Sequence, residues 1–179
     1  MLYLNYIDSG VKDYFAAWIS FNTSDRKTLG LIELGLVRQH FLCYTTSDIL
    51  YFCHFHKHLL KNPGSNIFTA IGYNPSRTFL LQLKNQFPKV RTVTVFDDDL
   101  FGRILDCKVL LAYLKIEMNF KLQNGQVFFC YKSKDYAVPE SIFSLHSFRT
   151  FTGMRSNNRT IKPKGAVSFR QLLAQKFII

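Results

Sequence analysis

Residues 92–103 read Thr92-Val93-Thr94-Val95-Phe96-Asp97-Asp98-Asp99-Leu100-Phe101-Gly102-Arg103, and the fold is decided there. Thr92–Phe96 is a run of β-branched and aromatic residues, which predicts a buried strand. Leu100, Ile104, Leu105, Val109, Leu110, Leu111 and Leu114 then recur at helical spacing, so a helix is expected to start at once and run to about Lys115. Three acids stand between the two elements. Side chains alternate across a strand, which puts Asp97 and Asp99 on one side and Asp98 on the other. Carboxylates at the carboxyl end of a strand, beside a helix start, lie where open α/β sheets build their sites. The plainer alternative is that Asp98 or Asp99 caps the helix. Carboxylates ~7 Å apart along a strand repel by about 2 kcal/mol at an effective dielectric of about 20. A bound cation would remove that repulsion, and an empty site could survive it.

Working outward, Phe41–Thr45 reads as a strand, followed by a helix through Asp48, Ile49, Phe52, Phe55 and Leu59 with Thr46 or Ser47 as its cap. Asn62-Pro63-Gly64 ends it. Ile67–Ile71 is a further strand. Asn74 then caps a helix with Pro75 at its first position and Phe79, Leu80 and Leu83 inside. Gln126–Tyr131 is a fourth strand after the long helix. Alternation at this spacing predicts a mostly parallel four-stranded sheet with helices on both faces. Upstream, Trp18–Thr23 and Thr28–Leu34 are read as an N-terminal hairpin about the turn at residues 24–27. Downstream, Pro139-Glu140 opens a short helix and Ser168 caps a last one, with the basic run Arg155–Gly165 between them expected to be a flexible loop. The organisation expected is thus an N-terminal extension (1–40), an α/β core (41–138) and a basic helical extension (139–179).

An apolar content of 47% over 179 residues argues for a folded chain with a sizeable core, and the 18 phenylalanines for an aromatic one. No stretch is apolar for 18 residues, so no membrane span or membrane partner is expected. The start, MLYLNYIDSG, has neither the basic region nor the apolar core of a signal peptide. Cys43, Cys53, Cys107 and Cys130 show no paired spacing and read as buried hydrophobes in a reducing cytoplasm. The formal net charge is +11, and residues 141–179 hold seven basic side chains and no acid. Arg155, Arg159, Lys162 and Lys164 are therefore candidates for binding DNA or RNA through their phosphates, against the alternatives of a solvated tail or a surface for an acidic partner protein.

Several constellations fail on inspection. His54 and His58 have the spacing of two helical zinc ligands, but Phe55 stands where a metalloprotease needs Glu and no third ligand is evident. Gly72 lacks the further glycines of a phosphate loop. A response-regulator receiver also opens with acids after a strand, but needs a later strand-end Asp and a Lys within a longer fold.

The motif FDDDLFGR resembles the strand-end motif of the Toprim family of primases, topoisomerases and related nucleases, in which Phe-Asp-x-Asp is followed by x-x-Gly-Arg. Asp97 and Asp99 fall on its two aspartates, and Gly102 and Arg103 on the Gly-Arg of its primase-like branch. Lys134-Asp135-Tyr136 is similar to the Lys-Asp-aromatic that follows the last strand in primase-like proteins of plasmids and conjugative elements. The resemblance covers residues 41–135. It implies a Toprim-like α/β fold, Mg²⁺ held by Asp97 and Asp99 as catalytic carboxylates, Arg103 steadying phosphate, and a bacterial mobile-element or replication setting with replication or mobilisation proteins as partners.

One departure changes the expected activity. The family carries a catalytic Glu at the end of its first strand, where this chain has Tyr44 or Thr45. Asp48 matches the acid that often follows that Glu, and Glu33 lies too far upstream. Tyrosine, with an ordinary pKa of about 10, is a poor base at neutral pH. The expectation is a degenerate module that associates with nucleic acid and binds Mg²⁺ loosely. The alternatives are an active Mg²⁺-dependent phosphoryl-transfer domain of primase or nuclease type and a non-enzymatic protein-interaction domain.

Overall fold

The computed structural model describes residues 3–17, 27–30 and 35–177. Its parallel strands are β2 (Gln39–Cys43), β3 (Asn66–Ala70) and β4 (Arg91–Thr94), numbered after a short edge strand β1 (Lys27–Leu29). Helix α1 (Ser9–Phe15) precedes them, α2 (Thr46–Phe55) joins β2 to β3, and α3 (Arg77–Gln86) joins β3 to β4. Helix α4 (Leu100–Tyr113) follows β4. The chain then builds β5 (Lys121–Gln123), β6 (Gln126–Tyr131), β7 (Lys134–Pro139), α5 (Leu145–Thr152), β8 (Arg159–Thr160) and α6 (Phe169–Gln175).

Among the described residues the main sheet has the order β1-β3-β2-β4-β8. β3, β2, β4 and β8 run parallel, and β1 is antiparallel to β3. Alternate residues sort onto two faces, as the pleat requires. Phe41, Cys43, Phe68, Ala70, Val93 and Val95 pack with Val11, Phe15, Ile49, Phe52, Phe169 and Leu173, so α1, α2 and α6 cover one face. Leu42, Tyr44, Ile71 and Phe96 pack with Leu80, Leu83, Leu105, Val109 and Ala112, so α3 and α4 cover the other. The mixed α/β class, the central strands and helices on both faces follow the sequence reading. The N-terminal α1 and the C-terminal α6 share one core with β2, β3 and β4.

The fourth parallel strand is not the one expected. Gln126–Tyr131 lies outside the main sheet, as the centre of a separate antiparallel sheet β5-β6-β7. Its flanking loops are the reason. Gln123 pairs with Gln126 across Asn124 (φ 51°) and Gly125 (φ 70°), and Tyr131 pairs with Lys134 across Lys132 (φ 52°) and Ser133 (φ 61°). Two-residue loops with both residues at positive φ make tight hairpins, which force antiparallel pairing. Val127, Phe129 and Val138 of this sheet cover Cys107, Leu110 and Leu111 on the outer side of α4, closed off by Phe143, Leu145 and Phe148.

The fourth parallel strand is instead β8, inside the basic run read as a flexible loop. Arg159 and Thr160 pair with Val93 and Thr94, and the Ile161 N–H donates to the Thr94 carbonyl at 3.0 Å. Residues 159–161 are therefore part of the sheet. The N-terminal hairpin lies in part outside the described residues, which include neither Trp18–Thr23 nor residues 31–34. β1 pairs with β3 at the sheet edge. Cys43, Cys53 and Cys107 are buried as expected, whereas Cys130 is exposed. Among the described residues no helix is long and apolar enough to cross a membrane.

Candidate functional site

The first strand of the parallel set, β2, is central; the chain goes by way of α2 to β3 on one side and by α3 to β4 on the other. The order therefore reverses between β2 and β4, and the crevice beyond the carboxyl ends of those strands is where such sheets place ligands. Tyr44, Thr45 and Asp48 follow β2 there, and Asp97, Asp98 and Asp99 follow β4. Pairing continues past the strand ends: Val95 N–H donates to the Leu42 carbonyl at 2.8 Å, and Gly72 N–H to the Tyr44 carbonyl at 2.9 Å. The first of these holds the two acid-bearing segments side by side, and the second ties β2 to the turn after β3.

Each acid has its own local task. Asp99 caps α4, its Oδ1 accepting from the Gly102 N–H at 2.7 Å, so the capping alternative holds for this residue. Asp98 takes Arg103, with Nε donating to Oδ1 at 2.9 Å. Asp48 closes a capping box on α2: Thr45 N–H and Oγ1 donate to its Oδ2 at 3.0 and 2.7 Å. The α2 cap is thus Thr45, one residue before the expected position, and the α3 cap is Ser76 rather than Asn74. Asp97 is the half-buried acid with the least compensation. Burial pushes its pKa up to about 6, with Asp48 and then Asp99 adding repulsion against the pull of Lys162.

Tyr44 stands where the resemblance calls for Glu. It is only 2% exposed, and among the described residues its hydroxyl has no hydrogen-bond partner. Burial raises its pKa, and Asp97, Asp99, Asp106 and Asp48 raise it further. The phenol therefore stays protonated: it is an unused donor facing an acidic site, not a base. Gly102 completes the geometry. A Cβ there would overlap the Asp97 carbonyl oxygen and lie 3.0 Å from the Tyr44 hydroxyl. Glycine lets α4 start against the strand end.

Beneath the acids lies a pair that the sequence reading missed. Asp106, on the inner side of α4, is 1% exposed, and Lys162 Nζ sits 2.8 Å from its Oδ2. The same ammonium donates to the carbonyls of Phe96 (3.2 Å) and Asp97 (3.0 Å). Lys162 was expected to be an outward-facing tail cation. Its side chain is 19% exposed and is held inside by Asp106, because β8 carries it to the β4 strand end. The signal available in the sequence was an acid amid the apolar stripe of α4, between Leu105 and Val109. Arg155, Arg159 and Lys164 have exposed side chains, and Arg103 is partly covered.

The histidines do not form a helical pair, because α2 ends at Phe55 before His58. His54 Nδ1 instead accepts from the Asp8 N–H at 3.0 Å. Among the described residues no three His, Cys, Asp or Glu side chains are grouped as a metal would require. Asp135, in the Lys-Asp-Tyr of β7, lines a different feature, a cleft of about 920 Å³ between α3, α4 and β6. Comparison with protein-family models, with characterised proteins and with solved structures finds no match to this chain.

Proposed function

We propose that this chain is a Toprim-like domain that associates with DNA or RNA, retains the strand-end acid pair, and has lost turnover. The observation that supports this best is the position of Asp97 and Asp99 just beyond β4, beside the central strand β2, at the reversal of strand order. The donor set suits a loosely held divalent cation. Asp97 carries charge that its surroundings do not balance, and Mg²⁺ commonly takes one or two carboxylates and keeps several waters. Asp97 and Asp99 would hold it, with Asp99 sharing its carboxylate with the α4 cap. The cation's contribution would be to neutralise phosphate oxygens brought to an otherwise acidic crevice.

Turnover needs a base beside the cation, and among the described residues the crevice offers none beyond the acids that would hold that cation. Tyr44 is held protonated, Thr45 and Asp48 are engaged with each other, and Glu33 lies outside the described residues. Exposed Arg155, Arg159 and Lys164 provide the attraction for a polyanion. The replication or mobilisation setting rests on the resemblance of the FDDDLFGR motif. Two assays test this reading: oligonucleotide binding in Mg²⁺ against EDTA, and nicking of supercoiled DNA with primer synthesis in Mg²⁺ and Mn²⁺. Binding without product is expected. Products that vanish in Asp97→Asn would overturn the loss of turnover, and absence of binding at low salt would overturn the nucleic-acid assignment.

A further inference from the structure

Two large aromatic rings stand out in solvent beside the acid crevice: Tyr73 is 59% exposed and Phe101 50%. They come from different segments, Tyr73 from the turn after β3 and Phe101 from the first turn of α4. Both converge on Tyr44. Tyr73 stacks on Tyr44 at 4.7 Å between ring centroids and 21° between planes, and Phe101 lies at 6.1 Å and 32°. Behind them Tyr44 stacks on the buried Phe96 at 4.8 Å and 30°. The result is a stack of Phe96, Tyr44 and Tyr73 with Phe101 tilted beside it, buried at Phe96 and Tyr44 and exposed at Tyr73 and Phe101. The core does not require the outer two. Exposed rings braced on Tyr44 offer flat π-faces, which prefer stacked or edge-to-face contact with another aromatic ring.

From this geometry we infer that Tyr73 and Phe101 form a stacking platform for an unpaired base, so that the preferred ligand is single-stranded nucleic acid. Bases in a duplex are stacked on one another and offer no face to a protein ring, whereas an unpaired base does. Charge favours the same occupant. The chain carries +11 overall, and exposed Lys164 comes two residues after Lys162, whose ammonium already reaches the Asp97 carbonyl at 3.0 Å. The Asp98 N–H donates to the Val167 carbonyl at 2.7 Å, so the segment that carries exposed Lys164 runs past the strand end beside the aromatic face, and a cation next to an aromatic face suits a single strand. This inference rests on the nucleic-acid reading above and narrows it from polyanions in general to single strands.

The test uses labelled oligonucleotides of about 12 nucleotides, a length within the span of a single-strand site, each offered single-stranded and as a duplex. Binding is followed by fluorescence anisotropy in the full chain and in Tyr73→Ala, Phe101→Ala, Tyr73→Phe and Phe101→Tyr variants, with melting curves to confirm folding. Stacking is worth roughly five- to 150-fold in affinity per base. The parent should prefer the single strand. Each alanine variant should lose roughly that factor on single strands alone, and the aromatic replacements should keep it. If the parent binds both forms and the alanine variants bind as it does, the platform is wrong and the nucleic-acid reading stands. If the parent binds neither form, both fall, and the exposed rings belong to a protein interface.

Discussion

Lys162 Nζ and Asp106 Oδ2 lie 2.8 Å apart across 56 residues of chain, joining the C-terminal basic run to the inner face of the helix that follows the acid motif. The pair does two things at once. It seats β8 against β4, and it places a fixed ammonium under the Asp97 carbonyl. A buried pair of this kind contributes little net stability over an apolar replacement, yet losing one partner strands the other. Lys162→Met is expected to destabilise the fold by about 3–5 kcal/mol, read from urea unfolding. Joining it to Asp106→Leu should recover most of the loss. A single variant as stable as the parent would mean that Asp106 is buried uncharged and does not need Lys162.

Gly102 tests whether the motif glycine is structural. A Cβ at that position overlaps the Asp97 carbonyl oxygen, which is backbone and cannot step aside cheaply. Gly102→Ala should therefore cost about 1–3 kcal/mol through overpacking despite alanine's better helix propensity. An unchanged or raised melting temperature would show that the contact between α4 and the strand end is looser than this.

Two groups oppose each other in acid. His40 is buried with Nε2 at 2.7 Å from Thr69 Oγ1, and burial lowers its pKa to about 3. The unfolded chain binds that proton first, so the stability due to His40 is complete above its ordinary pKa of 6.5 and falls as pH drops, by at most about 1.4 kcal/mol per pH unit. Asp97 has the reverse sign. Its folded pKa, raised to about 6, gives stability complete below its ordinary value of 3.8 and lost as pH rises through about 6. Between these limits the two slopes partly cancel. His40→Gln should flatten or invert the acid limb of a stability–pH curve, and Asp97→Asn should steepen it. Parallel curves for parent and both variants would contradict the two assignments.

The basic run has to be probed without deleting it, because residues 159–161 are in the sheet and Lys162 is in the core. Arg155, Arg159 and Lys164 changed together to Gln should leave the fold intact and weaken oligonucleotide binding. The slope of log affinity against log salt should become shallower by about 2, for three phosphate contacts on a single strand. An unchanged slope would remove these side chains from the interface.

Sequence periodicity was enough for β2, β3, β4 and α2 to α4, because each is a hydrophobic run whose period survives in the packed structure. The antiparallel sheet was also legible, in Asn124-Gly125 between Gln123 and Gln126, a strong local hairpin signal. Reading Gln126–Tyr131 as one more crossover strand gave repetition of the strand–helix pattern more weight than this turn. β8 was not legible. Arg159 and Thr160 sit in a polar run with no alternation, and the open edge of β4 imposes their strand conformation. The acid pair was visible, but not its division of labour. Capping by Asp99 follows from local spacing, whereas the repulsion between Asp48 and Asp97 and the partnership of Lys162 with Asp106 depend on how distant segments pack.

The most direct measurement is the Mg²⁺ dependence of melting at about pH 7.5, where Asp97 with a pKa near 6 is ionised. Loose binding, at about ten times the dissociation constant, stabilises by about 1.4 kcal/mol and raises the melting temperature by about 3–5 °C in a domain of this size. The effect should shrink at about pH 5, where Asp97 is protonated, and disappear in Asp97→Asn. The same Mg²⁺-induced rise in parent and Asp97→Asn, at both pH values, would contradict a cation site at the β4 strand end.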